Sequence, residues 1–169
     1  MPPRELERLY DAHAEALFSF LLSLLRDEAD TRDALQEVFS RLAKWPDSLN
    51  DVRNERGFLL RLSHNLAIDM IRRRSARERA HHALADQVTE LFAQTLDPDE
   101  ATFRRDLANA LSELPTDQRV VVHLKLWEGL TFDSIAEALE IPMNTAASRY
   151  RYGLDKLQAR LRPLYDELR

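Results

Sequence analysis

The side chains best suited to do chemistry in this chain are hydrogen-bond donors and cations, and they gather in two places. After Ile141-Pro142, the residues Asn144, Thr145, Ser148, Arg149, Arg151 and Tyr152 recur with a spacing that sets them largely on the outer side of one helix, near its N-terminus. In "FLLRLSHNLAIDMIRRR", Asn65, Asp69 and Arg73 fall on successive turns of one helical face, beside Arg72 and Arg74. Amides, hydroxyls and guanidiniums in such rows match the acceptors of base edges and phosphates. Taken alone, Arg72-Arg73-Arg74 reads first as a helix C-terminus whose free carbonyls favour cations, on a solvated face.

Catalytic chemistry finds no comparable support. The chain has no cysteine, which removes disulfides, thiolate metal sites, thiol nucleophiles and direct thiol sensing together. Its five histidines are scattered apart from His81-His82, and no helical pair has the spacing of a zinc hydrolase. No nucleophile sits beside a base, and three glycines do not supply a phosphate-cradling loop. No catalytic residue, metal ligand or cofactor is expected.

The elements that must position the donor rows are helices. Apolar residues make up 44% and charged residues 31% of 169, and so few glycines leave little material for the turns of a sheet protein, so the fold class is all-α. Leu6, Leu9, His13, Leu17, Leu21 and Leu24 step by three and four along a long first helix. Leu35, Val38, Phe39 and Leu42 mark a second, ended by "WPDSLND". A third begins near Arg56 and carries Leu59, Leu62, Leu66 and Met70 on its apolar face. No run approaches the roughly 18 apolar residues of a membrane span, so no membrane insertion and a cytoplasmic location are expected.

Further on, "LPTDQRVVVHLKLWEGLTF" predicts a helix from Thr116, capped by its hydroxyl, to a stop at Gly129. Thr131 then caps a short helix with Phe132, Ile135, Ala136 and Leu139 inward. Ile141 carries the apolar contact around a corner, and Pro142 suits the first position of a new helix, where its missing N–H has no partner to lose. Ala146, Tyr150, Leu154, Leu157 and Leu161 form the inner face of that helix. This is the helix-turn-helix layout, whose second helix enters the major groove. A helical hairpin facing only water has the same short pattern, but here caps, corner, stripe and exposed donors coincide.

The net charge of −5 is unevenly spread. Residues 1–79 and 119–169 are close to neutral, whereas residues 80–118 carry eight acids and two bases. Periodicity also weakens there and "DPD" interrupts it, which predicts two small helical domains, 1–79 and 99–169, joined by a flexible acidic linker at 80–98.

This order of parts resembles the extracytoplasmic-function (ECF) sigma factors of the sigma-70 family, over nearly the full length. Three stretches carry the resemblance: "DTRDALQEVFSRLAKW", "FLLRLSHNLAIDMIRRR" and "LPTDQRVVVHLKLWEGLTFDSIAEALEIPMNTAASRYR". It implies that 1–79 is region 2 and 99–169 region 4, and that the chain is a non-enzymatic promoter-specificity subunit binding core RNA polymerase. Asp30, Asp33, Gln36, Glu37 and Arg41 match positions facing the β′ coiled coil, and region 4 would meet the β flap. Asn65, Asp69, Arg72, Arg73 and Arg74 lie where the −10 region is melted, and Asn144, Thr145, Ser148, Arg149, Arg151 and Tyr152 where the −35 element is read. "WPDSLNDVRNERG" corresponds to a segment that captures a flipped base, which must offset a few kcal/mol of stacking. The acidic linker, with Asp86, Glu90, Asp97, Asp99 and Glu100, would thread the polymerase's basic channel, and an anti-sigma factor is an expected partner.

The reading helix departs from the family pattern at Ala147 and Tyr152, where basic side chains are usual, so isolated −35 binding is expected to be weak and shallow in its salt dependence. Two other classes fit parts of the pattern: a sigma mimic that sequesters a regulator without touching DNA, and a stand-alone helix-turn-helix repressor. The first needs neither Asn65 nor Arg72 to Arg74, and the second needs a dimer helix that the sequence does not offer.

Overall fold

In the computed structural model, which describes residues 3–45, 49, 52–80 and 98–167, seven α-helices are present and no strand occurs among the described residues. The first three are α1 (Pro3–Leu25), α2 (Glu28–Lys44) and α3 (Glu55–Ala80). They form a bundle in which each packs on the other two. The stripe expected on α1 is inward: Leu9, Leu17, Phe20, Leu21 and Leu24 are buried, against Ala34, Val38 and Leu42 of α2 and Leu59, Leu60 and Ala67 of α3. Arg26 ends α1 in the left-handed region at φ 58°, its N–H returning to Leu22 O at 2.9 Å. Asp27 then opens α2, accepting the Asp30 N–H on Oδ1 at 2.8 Å.

The second half consists of α4 (Pro98–Glu113), α5 (Thr116–Leu126), α6 (Phe132–Leu139) and α7 (Met143–Glu167). Helix α5 starts at Thr116, as the sequence reading has it, but its cap differs. Pro115 occupies the cap, its carbonyl accepting from Gln118 and Arg119, while Thr116 is already helical and makes no capping bond. A threonine inside the first turn no longer points its hydroxyl back at the free amides, and Thr116 Oγ1 instead lies 3.5 Å from Arg119 Nη2. Thr131 does cap α6, accepting the Ser134 N–H at 3.2 Å.

At the corner, Glu140 takes the left-handed conformation at φ 54° and the Ile141 N–H reaches back to Ala136 O at 3.0 Å. Pro142 sits one place earlier than expected. Its carbonyl accepts from Thr145 at 2.9 Å and Ala146 at 3.1 Å, which makes it the cap of α7 rather than its first helical residue. Either position leaves the missing N–H without cost. Gly153 allows α7 to lie close on α5: a Cβ there would stand 2.7 Å from Val122 Cγ2.

The halves are not separate in space. Val120, Val121 and Leu124 of α5, Ile135 and Leu139 of α6 and Ala146 of α7 belong to the same buried cluster as the α1–α3 core. Contact runs from α1 to α5 and from α3 to α6. A smaller cluster of Ala110, Leu114, Val122 and Leu157 ties α4, α5 and α7 together. The expected linker falls mostly at residues 81–97, outside the described residues, so the acids Asp86, Glu90 and Asp97 and the pair His81-His82 do too.

Candidate nucleic-acid interface

Helix α7 presents its donors over two turns. Asn144, Arg151 and Tyr152 are exposed, whereas Thr145, Ser148 and Arg149 are half-buried, so the row is less uniformly outward than its spacing predicts. Two of the donors already have partners: Ser148 Oγ donates to Thr145 O at 3.0 Å, and Arg149 Nε pairs with Asp117 Oδ2 at 3.2 Å. The Arg151 guanidinium lies 5.2 Å from the Tyr152 ring centre, a cation–π arrangement between two exposed side chains. Beneath this surface Ala146 is fully buried and Phe132 meets the Tyr150 ring edge-on at 5.5 Å, which fixes the angle between α6 and α7. Lys125 braces the turn before them, donating to Leu130 O at 3.0 Å with its ammonium 4.8 Å from the Phe132 ring.

On α3, Asn65, Asp69, Arg72, Arg73 and Arg74 are all exposed; Asn65, Asp69 and Arg72 share one side of the helix, and Arg74 lies on the side towards α2. Arg74 lies 3.9 Å from Asp30 of α2, which links this edge to the next group of candidates. On α2 itself, Asp33 and Gln36 are exposed and Glu37 and Arg41 form an ion pair of 2.8 Å. The Arg41 hydrogen bond holds the Glu37 carboxyl below its ordinary range. The three expected groups are therefore on the outside of three different helices, and those of α2 and α3 adjoin.

Several residues near these rows were not singled out from sequence. A cleft of about 200 Å³ lies at the start of α3, walled by Asn54, Phe58 and Arg61 on one side and by Ser134, Glu137 and Ala138 of α6 on the other. Arg61 stands over the Phe58 ring at 5.7 Å, and its Nη1 is 3.9 Å from Glu140 Oε1. His64 lies one turn further along; burial pushes its pKa down, a hydrogen bond with Asn65 opposes this, Arg149 adds to the lowering and Glu140 opposes it. At the base of the same seam Arg56 of α3 donates to buried Glu128, which also has His123 Nε2 at 3.5 Å. Burial alone raises the Glu128 pKa, but the His123 imidazole and the Arg56 guanidinium outweigh it and hold the carboxylate below its usual value. His123 also sits between Phe20, at 5.7 Å, and Trp127, at 5.5 Å.

No group of three or more potential metal ligands occurs among the described residues. Nor is any described helix long and apolar enough to cross a membrane. What the surface offers is donors, cations and stacking rings on a helical frame, the equipment for binding a polyanion with bases.

Comparison with known proteins defines the class. Residues 9–77 match the Sigma-70 region 2 family model and residues 104–157 the Sigma-70, region 4 model. The chain is 33% identical over 160 residues to ECF RNA polymerase sigma factor SigL of Mycobacterium tuberculosis, covering 92% of this chain and 88% of that one. It is 28% identical over 165 residues to ECF RNA polymerase sigma factor SigX of Bacillus subtilis, covering 95% and 85%. Among solved structures, the sigma factor RpoE in complex with the anti-sigma factor NepR from Bartonella quintana shares the fold, with a TM-score of 0.80 at 20% identity over 94% of this chain and 98% of that one. The chain belongs to the ECF RNA polymerase sigma factors. It is thus a promoter-specificity factor that acts in transcription initiation, and neither the sequestering mimic nor the stand-alone repressor is favoured.

Proposed function

We propose that the two modules divide promoter recognition between α7 and α3, with core RNA polymerase supplying the catalysis. The N-terminal turns of α7 enter the major groove of the −35 element, Asn144 and Arg151 meeting bases and phosphates first, with Thr145, Ser148, Arg149 and Tyr152 completing the edge. Asn65, Asp69, Arg72, Arg73 and Arg74 hold the melted −10 strand, and the Asn54–Phe58–Arg61 cleft receives an unstacked base, with Phe58 and Arg61 offering surfaces for stacking. Asp30, Asp33, Gln36, Glu37 and Arg41 face the β′ coiled coil, and region 4 the β flap.

The functional units on this reading are 1–79 and 99–169, with 80–98 between them, acting in the cytoplasm and held in reserve by an anti-sigma factor. The observation that carries the proposal is that Asn65, Asp69 and Arg72 lie exposed along the side of α3 that faces away from buried Leu59, Leu66 and Ala67, with Arg73 and Arg74 exposed at the end of the row. Run-off transcription with core polymerase on a library of upstream sequences is the test. Start sites sharing −35 and −10 elements are expected from the wild-type chain, and Asn65→Ala with Arg72→Ala should abolish them while core binding persists. Promoter-independent starts would refute the assignment.

A further inference from the structure

Two guanidiniums where α1 meets α5 have no acid to answer them. Arg119 lies one turn before His123, whose ring packs on Phe20 of α1, and keeps only 6% of its surface exposed. Its Nη1 donates to Ser112 O at 2.9 Å and its Nη2 stands 3.5 Å from Thr116 Oγ1, but its Nε–H is shielded from solvent and meets no acceptor. Arg26, which closes α1 in the left-handed conformation, repeats the pattern: its Nε is enclosed and also without an acceptor. Burial, and then the charge of Arg26, push the Arg119 pKa down to about 10, so the two cations lie within electrostatic reach of each other.

The acids nearest in the chain are engaged elsewhere. Asp27, next to Arg26, accepts the Asp30 N–H as the cap of α2, and Glu28 pairs with Arg32. Asp117, two residues before Arg119, holds Arg149 at 3.2 Å. No side chain caps the N-terminus of α5, the positive end of a helix whose first turn carries Arg119. Taking a cation out of water costs free energy that a counter-charge normally offsets, and the described residues bring none to this pair.

We propose that Arg26 and Arg119 form a binding site for a phosphate-class oxyanion, seated between the C-terminal end of α1 and the first turn of α5. A tetrahedral oxyanion suits two guanidiniums better than a carboxylate does. One guanidinium edge takes up a pair of oxygens, and only a group with more than two leaves further oxygens for the second. Free phosphate and the terminal phosphate of a nucleotide offer this same chemistry. The site goes beyond promoter recognition and does not depend on how α3 and α7 read DNA.

Calorimetric titration of the full chain tests it, with sodium phosphate and adenosine diphosphate as separate ligands and sodium chloride holding the ionic strength constant. Phosphate is expected to fill one saturable site per chain, and a tenfold excess over Kd should raise Tm by about 3–6 °C. Tighter binding of the diphosphate identifies a nucleotide as the source, and weaker binding the free ion. Arg26→Asn removes one guanidinium with a residue that tolerates the left-handed backbone, so the fold is kept while phosphate affinity falls by about tenfold or more and the Tm rise disappears. Arg119→Lys, which keeps the charge but loses the fork, should weaken binding similarly. Arg160→Gln removes the same charge from an exposed pair with Glu113 and should leave affinity unchanged.

Absence of saturable binding by the wild type overturns the inference. So does an unchanged affinity in Arg26→Asn, or an equal loss in Arg160→Gln.

Discussion

Gly153 offers a sharp test of how α7 is seated. An alanine Cβ there would lie 2.7 Å from Val122 Cγ2, about 1 Å inside the 3.5–4.0 Å at which carbon atoms attract. The other neighbours, Gln118 Cβ at 3.6 Å and Gln118 O at 3.7 Å, are ordinary contacts, so the whole penalty falls on one methyl group. Val122 is completely buried and cannot swing into solvent. Replacing glycine by alanine in a helix interior gains about 1 kcal/mol of propensity, whereas overpacking costs roughly 1–3 kcal/mol. Gly153→Ala should therefore lose up to about 2 kcal/mol net, a fall of up to about 8 °C in Tm for a chain of this size. Val122→Ala alone should cost about 2–3 kcal/mol, from two lost methyl groups and the cavity they leave. In the double variant the new Cβ enters that cavity, so the combined loss should fall well short of the sum. Urea denaturation of all four proteins measures the coupling. A Tm that rises in Gly153→Ala, or losses that add within about 0.5 kcal/mol, would refute the close approach of α7 to α5.

Other expectations concern the readers themselves. Asp117→Asn releases Arg149 from a half-exposed pair worth about 0.2–1 kcal/mol, so −35 duplex affinity should rise up to about fivefold in a fluorescence anisotropy titration, and no change would mean that Arg149 does not reach DNA. Tyr152→Arg, adding a cation where the family usually has one, should steepen the dependence of log affinity on log salt by about one unit. Thr131→Ala removes the cap of α6 and should cost about 1 kcal/mol in urea unfolding. His64 predicts a pH effect. Its folded pKa is depressed by burial, so the unfolded chain takes up a proton near its ordinary value of about 6.5 while the folded chain does not. Stability from this group is complete above about pH 6.5 and declines as pH falls below it, and His64→Gln should flatten that part of the profile.

The individual helices were legible because their signals are local. The stripe from Leu9 to Leu24, the cap at Thr131 and the corner at Ile141 each depend on neighbours within a few residues, and each is found where the pattern puts it. Thr116 misled for the same reason. A threonine before an acidic first turn has the composition of a cap, but Pro115, whose backbone cannot enter from a helical residue without strain, claims the position. On α3 the exposure of Asn65, Asp69 and Arg72 follows from the helical period once the buried face is known, whereas that of Arg73 and Arg74 does not.

What periodicity does not carry is which apolar residues are buried by the other half of the chain. On α5, Val120, Val121, Val122 and Leu124 are all buried, a helix apolar on more than one side, and that breadth was the signal available. A helix covered by one partner needs a single stripe; α5 has Val122 inward to α7 and Val121 and Leu124 in the cluster shared with α1–α3. Glu128 was the second signal. A carboxylate directly after a helix that apolar is costly to bury unless a cation meets it, and the cation that does, Arg56, lies 72 residues earlier at the start of α3. The pairing follows from the meeting of two modules that each look complete on their own, so no pattern local to either one points to it.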